Sequence, residues 1–343
     1  MDKFLFETES SSLLGNIYNH LQDEESREIY KARSLFSLTD DKACLKTVVR
    51  QMTVAKSLLD ELNRHSGQDL VLFGAGEWGN SILYFFPEIH WKCVVDNNKA
   101  GSKLGDYEII SFAELQKMEN VYVVVAILFQ FSEIKTQLLQ AGFSEADFLL
   151  LGKIAEENQY FDLPDLHFNK DEVYVDAGGY DGVVACRFAE ATEHQYHKIY
   201  IFEPNEHLFK LCQKTTELME RCTVFQKGVS DHAGVIRFIE ADAGSRFSDD
   251  ENNSVEIETI TLDEYIDEPV TFIKMDIEGA ELAALKGAEK IIRNQKPKLA
   301  ISVYHRREDI WEIPKLLLSY NPDYKFYLRI YSFTGNDTVL YAI

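Results

Sequence analysis

The chain has 343 residues, 45% of them hydrophobic and 27% charged, and a net charge of −22. That length and composition predict a globular protein of two domains rather than one core. So acidic a surface argues against a nucleic-acid partner and against anionic membranes.

Five scattered cysteines, with no C-x-x-C pair, argue against a structural zinc site or a disulfide framework and fit a reducing cytoplasm. The opening "MDKFLFETESSS" lacks a basic stretch followed by an apolar one, so no signal peptide is read. The longest apolar run, "VYVVVAILF", is too short to cross a bilayer and reads as a buried strand. A soluble, cytoplasmic protein without membrane insertion is expected.

Residues 1–66 carry helical spacing. Leu13, Ile17 and Leu21 share a face, and "ACLKTVVRQMTVAKSLLDELNRH" reads as one long amphipathic helix. No chemistry shows there; packing or homo-oligomerisation through these helices is the expectation.

Residues 67–152 alternate strand and helix, as a small Rossmann-like α/β domain would. "LVLFGAG" is a strand and turn, "WGNSILYFF" a helix, and "WKCVVDNN" a second strand ending in Asp96. Ser111 and Glu114 stand at capping-box spacing, and "FSEIKTQLLQAGF" is a helix closed by Gly142. The polar stretch 153–170 reads as a linker.

The alternation restarts in a third region, 171–343. Strands are predicted at "EVYVDA", "KIYIFEP", "CTVFQKG", "TFIKMD" and "KLAISVYH", with a helix at "AELAALKGAEKIIRN". "KFYLRIYS" and "TVLYAI", joined by a turn with Gly335 and Asn336, form a closing antiparallel hairpin. Five parallel strands and a hairpin make the mostly parallel seven-stranded sheet of class I S-adenosylmethionine-dependent methyltransferases.

Two glycine loops follow strands. In "DAGGYDG" the strand ends in Asp176, which would repel a pyrophosphate but suits the ammonium and sulfonium of S-adenosylmethionine. Gly178, Gly179 and Gly182 allow close backbone approach, and Glu203 ends the next strand where an acid accepts ribose hydroxyls. The other loop, "GAGEWG", satisfies G-x-G-x-x-G through Gly74, Gly76 and Gly79, with Asp96 following. Three readings of it stay open: a nucleotide-sugar or sugar-acceptor site, a structural relic, or an NAD site.

"YVDAGGYDG", "IFEPN", "KGVSD", "TLDEYI" and above all "FIKMDIEGAELAALKGA" resemble the FkbM family of S-adenosylmethionine-dependent methyltransferases over about residues 170–343. The N-terminal loop segment resembles Rossmann-like domains of sugar-modifying enzymes. The FkbM resemblance implies O-methylation of a small-molecule or saccharide acceptor. It implies cofactor contacts along the same motifs: Asp176, Gly178, Gly179, Asp181, Gly182, Glu203 and Asn205, with Val229 in the loop bordering the adenine. Gly228 departs from the Ala that many relatives carry there.

Methyl transfer to a hydroxyl requires positioning and a proton acceptor. Asp276 and His305 end neighbouring strands, and Glu278 opens the following helix, so the three are the candidate catalytic residues. Either His305, or Asp276 acting with it, is the base, or Asp276, Glu278 and His305 ligate a divalent cation that acidifies the hydroxyl. Lys274 reads as a packed stem whose head points at an acid. The alternatives in other classes are a non-catalytic nucleotide-binding protein on a methyltransferase scaffold and an NAD-dependent oxidoreductase.

Overall fold

The computed structural model describes residues 13–128, 130–239, 246–247 and 255–343. The chain divides into two compact units. The smaller comprises Asp40–Gln159 and Ile330–Asp337; the larger comprises the described residues up to Thr39, then Tyr160–Arg329 and Thr338–Ile343.

The smaller unit is built on six strands: β1 (Asp69–Phe73), β2 (Cys93–Val95), β3 (Lys103–Leu104), β4 (Tyr107–Ile110), β5 (Val121–Val125) and β6 (Phe148–Leu150), ordered β3-β4-β2-β1-β5-β6. All pairs are parallel except β3 with β4. β5, "VYVVV", is buried at every position, as a strand covered on both faces must be. Ser111 and Glu114 form the predicted capping box. The helix read over residues 43–65 is broken at Met52, which is extended (φ −64°, ψ 154°), into Lys46–Gln51 and Thr53–Arg64.

In the larger unit, β7 (Val173–Ala177), β8 (Lys198–Phe202) and β9 (Cys222–Phe225) are joined by β14 (Phe272–Met275), β15 (Lys298–Ser302), β16 (Phe326–Ile330) and β17 (Thr338–Ala342). The order is β16-β17-β15-β14-β7-β8-β9, and β17 runs antiparallel to β15. The strand order reverses at β7, whose neighbours are β8 and β14, and open α/β sheets bind ligands beyond the carboxyl ends of the strands at such a point.

A second sheet went unread in the sequence. It joins β10 (Gly228–Val229), β11 (Gly234–Ile239), β12 (Arg246–Phe247) and β13 (Val255–Ile260). The strand predicted through Gly228 therefore stops at Phe225.

The helix predicted across 280–294 is two helices, Glu281–Lys286 and Glu289–Gln295. A Cβ on Gly287 would lie 2.0 Å from the Ser230 carbonyl oxygen, and the Asp263 carboxylate accepts from the Lys290 and Ile291 N–H groups, starting the second helix anew.

One boundary differs from that expected. Residues 1–66 do not act as one segment, because the described residues up to Thr39 cluster with the larger unit. Ile17 and Leu21 are buried there, Leu21 bridges Phe326, and Ser26 accepts from the Leu328 N–H, so these helices cover the edge strand β16. The predicted linker, residues 153–170, does contain the boundary between the units, at Gln159–Tyr160, but it is packed rather than free. The helix Leu151–Asn158 buries Leu151 and Ala155, and Tyr160, Leu163 and Leu166 are buried beyond it. Their apolar positions were masked by polar neighbours.

No helix among the described residues is long and apolar enough to cross a membrane.

Candidate active site

The glycine turn after β7 is shaped by contacts no other residue would tolerate. Gly178 has φ +84°, and a Cβ there would stand 1.9 Å from the Asp276 carbonyl oxygen. A Cβ on Gly179 would meet Ile201 at 2.2 Å, and Gly182 has φ +83°. The turn is thus pressed against the end of β14. Asp181 accepts from the Val183 N–H at the start of the next helix.

Asp176 departs from its expected role. It is wholly buried, and the Lys274 ammonium stands 3.0 Å from its Oδ1. The two residues are register partners on adjacent strands, so the chain supplies the cation that a ligand was expected to bring. Burial pushes the Asp176 pKa up, against the pull of Lys274. Burial would lower that of Lys274, but the charges of Asp176 and Asp276 outweigh it and hold it above its usual value. Lys274 is indeed a packed stem aimed at an acid.

Glu203 ends β8 as expected. Its Oε2 accepts from the Tyr180 N–H at 3.0 Å and its Oε1 from the Asn205 N–H at 2.9 Å. Burial pushes its pKa up to about 7, against these two bonds. Asn205 caps the helix Glu206–Thr215 through the Leu208 N–H, and Val229 is buried in β10.

At the ends of β14 and β15 the structure brings together Asp276 and His305, and adds three residues the sequence reading missed: Tyr160, Glu281 and Tyr304. Tyr160 donates to Asp276 Oδ2 at 2.7 Å, and Tyr304 to Oδ1 at 3.2 Å. His305 Nε2 lies 3.4 Å from Asp276 Oδ1 and 3.5 Å from Glu278 Oε2, while Nδ1 lies 2.9 Å from Glu281 Oε1. Burial alone would lower the His305 pKa, but Glu281, Asp276 and Glu278 prevail and raise it to about 9. The ring is an imidazolium at neutral pH, held among carboxylates.

Glu278 adopts a left-handed conformation (φ +57°) with its side chain 41% exposed at the mouth, and burial raises its pKa. Glu281 is wholly buried in the first turn of its helix and also accepts from the Ile277 N–H. An acid opening a helix was the available signal for it; Tyr160, with φ +73° in a polar stretch, carried none.

Asp276, Glu281 and His305 each bring one ligand atom within 4.8 Å of the others. A cation would therefore use Glu281 in the place expected for Glu278. Both Asp276 oxygens and the His305 Nδ1 face already have partners, so the geometry reads as an ion-pair cage.

The first glycine loop is occupied by its own chain. A Cβ on Gly79 would lie 2.0 Å from the Gly74 carbonyl oxygen, and one on Gly74 would lie 2.8 Å from that of Ala126. Asp96 accepts from the Ala75, Asn98 and Lys99 N–H groups, and Lys99 Nζ donates to the Ala75 carbonyl. The acid that an NAD ribose would use is thus committed to holding the turn. Around Gly76 nothing lies within 4 Å of an added Cβ.

The sheet order and its reversal at β7 define a class I methyltransferase fold. Residues 176–331 match the family model of the methyltransferase FkbM domain. Residues 67–149 match the C2185-like N-terminal family. The chain is similar to the crystal structure of methyltransferase FkbM from Methylobacillus flagellatus KT, at 19% identity and a TM-score of 0.51, covering 93% of this chain and 99% of that one. Lower similarity extends to Aeropyrum pernix fibrillarin in complex with S-adenosyl-L-methionine, at 12% identity and a TM-score of 0.37 over 57% of this chain and 81% of that one. An rRNA methylase from Streptococcus thermophilus gives 15% identity and a TM-score of 0.34 over 56% and 93%. No curated protein matches the chain.

Proposed function

We propose that the larger unit transfers the methyl group of S-adenosylmethionine to a hydroxyl of a small, sugar-like acceptor. The observation that carries this reading is the contact of the donor turn with the acid at the end of β14. Gly178 abuts the Asp276 backbone, so a donor seated on the turn has its reacting end beside the Asp276 carboxylate.

Glu203 receives the ribose hydroxyls, its carboxylate already aimed by the Tyr180 and Asn205 N–H groups. The sulfonium meets the acidic cage of Asp276, Glu278 and Glu281, which outnumbers the His305 charge. An acceptor hydroxyl lies in line with the methyl and passes its proton to Asp276. His305, whose pKa the surrounding carboxylates raise to about 9, does not take it; the ring orients Asp276, with Tyr160 and Tyr304 on the same carboxylate. Most of the acceleration comes from holding the hydroxyl against the methyl.

Incubation with S-adenosylmethionine and a panel of monosaccharides, glycosides and nucleotide sugars, read by release of S-adenosylhomocysteine, tests the reading. Product with hydroxyl acceptors supports it. Product only with amine or thiol acceptors overturns the O-methyl assignment, and no donor binding overturns the whole.

A further inference from the structure

Lys274 sits mid-strand in β14 with 3% of its side chain exposed. Lysine is rarely buried so fully unless its ammonium has a task. Nζ donates to the Gly178 carbonyl oxygen at 2.5 Å, pairs with Asp176 at 3.0 Å, and stands 5.4 Å from the centroid of the Tyr160 ring. The Tyr160 hydroxyl in turn donates to Asp276. One ammonium therefore touches the glycine turn on one side and the ring that supports Asp276 on the other.

We propose that Lys274 is a positioning residue that locks the glycine turn in register with Asp276, so that donor and acceptor meet at the correct separation. The inference rests on the S-adenosylmethionine reading above. Stability alone is a poor account of the arrangement, because a buried ion pair replaced by apolar groups of similar volume is often neutral or better. Geometry is a better one. The turn has no slack, since a Cβ on Gly178 or Gly179 would lie 1.9 Å or 2.2 Å from its nearest neighbour. The peptide that carries the Gly178 carbonyl is the one that Lys274 holds. The charge of Lys274 is secured by Asp176 and by the more distant Asp276 and Glu203, so the bond is charge-assisted and short.

The test compares Asp176→Asn with the double variant Lys274→Met/Asp176→Asn, which differ only in the ammonium. In Asp176→Asn the ammonium keeps the charges of Asp276 and Glu203 and its bond to the Gly178 carbonyl, and in the double variant no member of the pair is left charged. Each is melted to establish folding, and its affinity for S-adenosylmethionine and S-adenosylhomocysteine is measured by calorimetry beside the wild type.

The expected result is a double variant that melts within a few degrees of Asp176→Asn yet binds both ligands about tenfold more weakly, as loss of a charge-assisted hydrogen bond implies. Equal affinities in the two variants overturn the inference. So does a double variant that fails to fold, which makes the pair structural. A wild type that binds neither ligand overturns the donor reading itself, and is told apart by appearing before any substitution is made.

Discussion

The two glycine loops of this chain follow the same local plan, a buried strand, a glycine turn and a helix, yet they spend their glycines differently. In the first, Gly74 and Gly79 are pressed against backbone of the same unit, and Asp96 is used up on three backbone N–H groups and the turn they form. In the second, the glycines bring the turn against the end of β14, and the acid at the end of the neighbouring strand β8, Glu203, is aimed by two N–H groups. A glycine fingerprint records that backbone comes close to something. What it comes close to is decided by the side chains around it, which lie far away in sequence.

The sharpest way to break this contrast is to add one methyl group to each loop. Gly178→Ala forces a Cβ into the Asp276 carbonyl at a positive φ, and should abolish methyl transfer and donor binding, with overpacking costing about 1–3 kcal/mol of stability. Gly76→Ala meets open space and should leave both unchanged. Donor titration and thermal melts of the two variants read the difference.

Acid-to-amide changes come next. Asp276→Asn should lower turnover by about 10²–10⁴-fold while S-adenosylhomocysteine affinity stays within a few-fold. Asp96→Asn should leave methyl transfer intact and lower the melting of the smaller unit alone. If Asp276→Asn retains full turnover, that residue leaves the mechanism.

A smaller effect concerns pH. The folded pKa of Glu203, about 7, lies above its ordinary value of 4.5. The folded state therefore holds this proton more tightly than the unfolded one. The stability this contributes is fully present below about pH 4.5 and is lost as pH rises through about 7, to a ceiling of about 3 kcal/mol. Glu203→Gln should flatten that part of the stability curve of the unliganded protein, measured by denaturant melts between pH 4.5 and 8. An unaltered curve contradicts the burial assigned to Glu203.

The smallest expected effect is that of Glu278→Gln. Its side chain is the most exposed member of the cage, and its removal should change turnover by less than about tenfold. Loss on the scale of Asp276→Asn would move Glu278 from the rim to the chemistry.

Much of this was legible in the sequence, where the signal was local. Strand-ending acids at 176, 203 and 276, the turn glycines and His305 all sit at element ends that hydrophobic runs mark clearly. The register that sets Lys274 beside Asp176 was not, because it depends on which strands become neighbours. That is why Asp176 was read as waiting for a cation that the chain already provides. Tyr160 was hidden for the same reason: its partner lies 116 residues away. The second sheet escaped because two of its strands, β10 and β12, have only two residues each and β13 carries two glutamates, and the first 66 residues were read as one segment because helical spacing does not say which core a helix covers.

The claim on which the rest depends is that one loop receives the methyl donor and the other holds only its own backbone. Calorimetric titration of the full chain with S-adenosylhomocysteine, repeated on Gly178→Ala and Gly76→Ala, measures it directly. The account predicts one site per chain, lost in Gly178→Ala and kept in Gly76→Ala. Binding that survives Gly178→Ala, or disappears in Gly76→Ala, would contradict it.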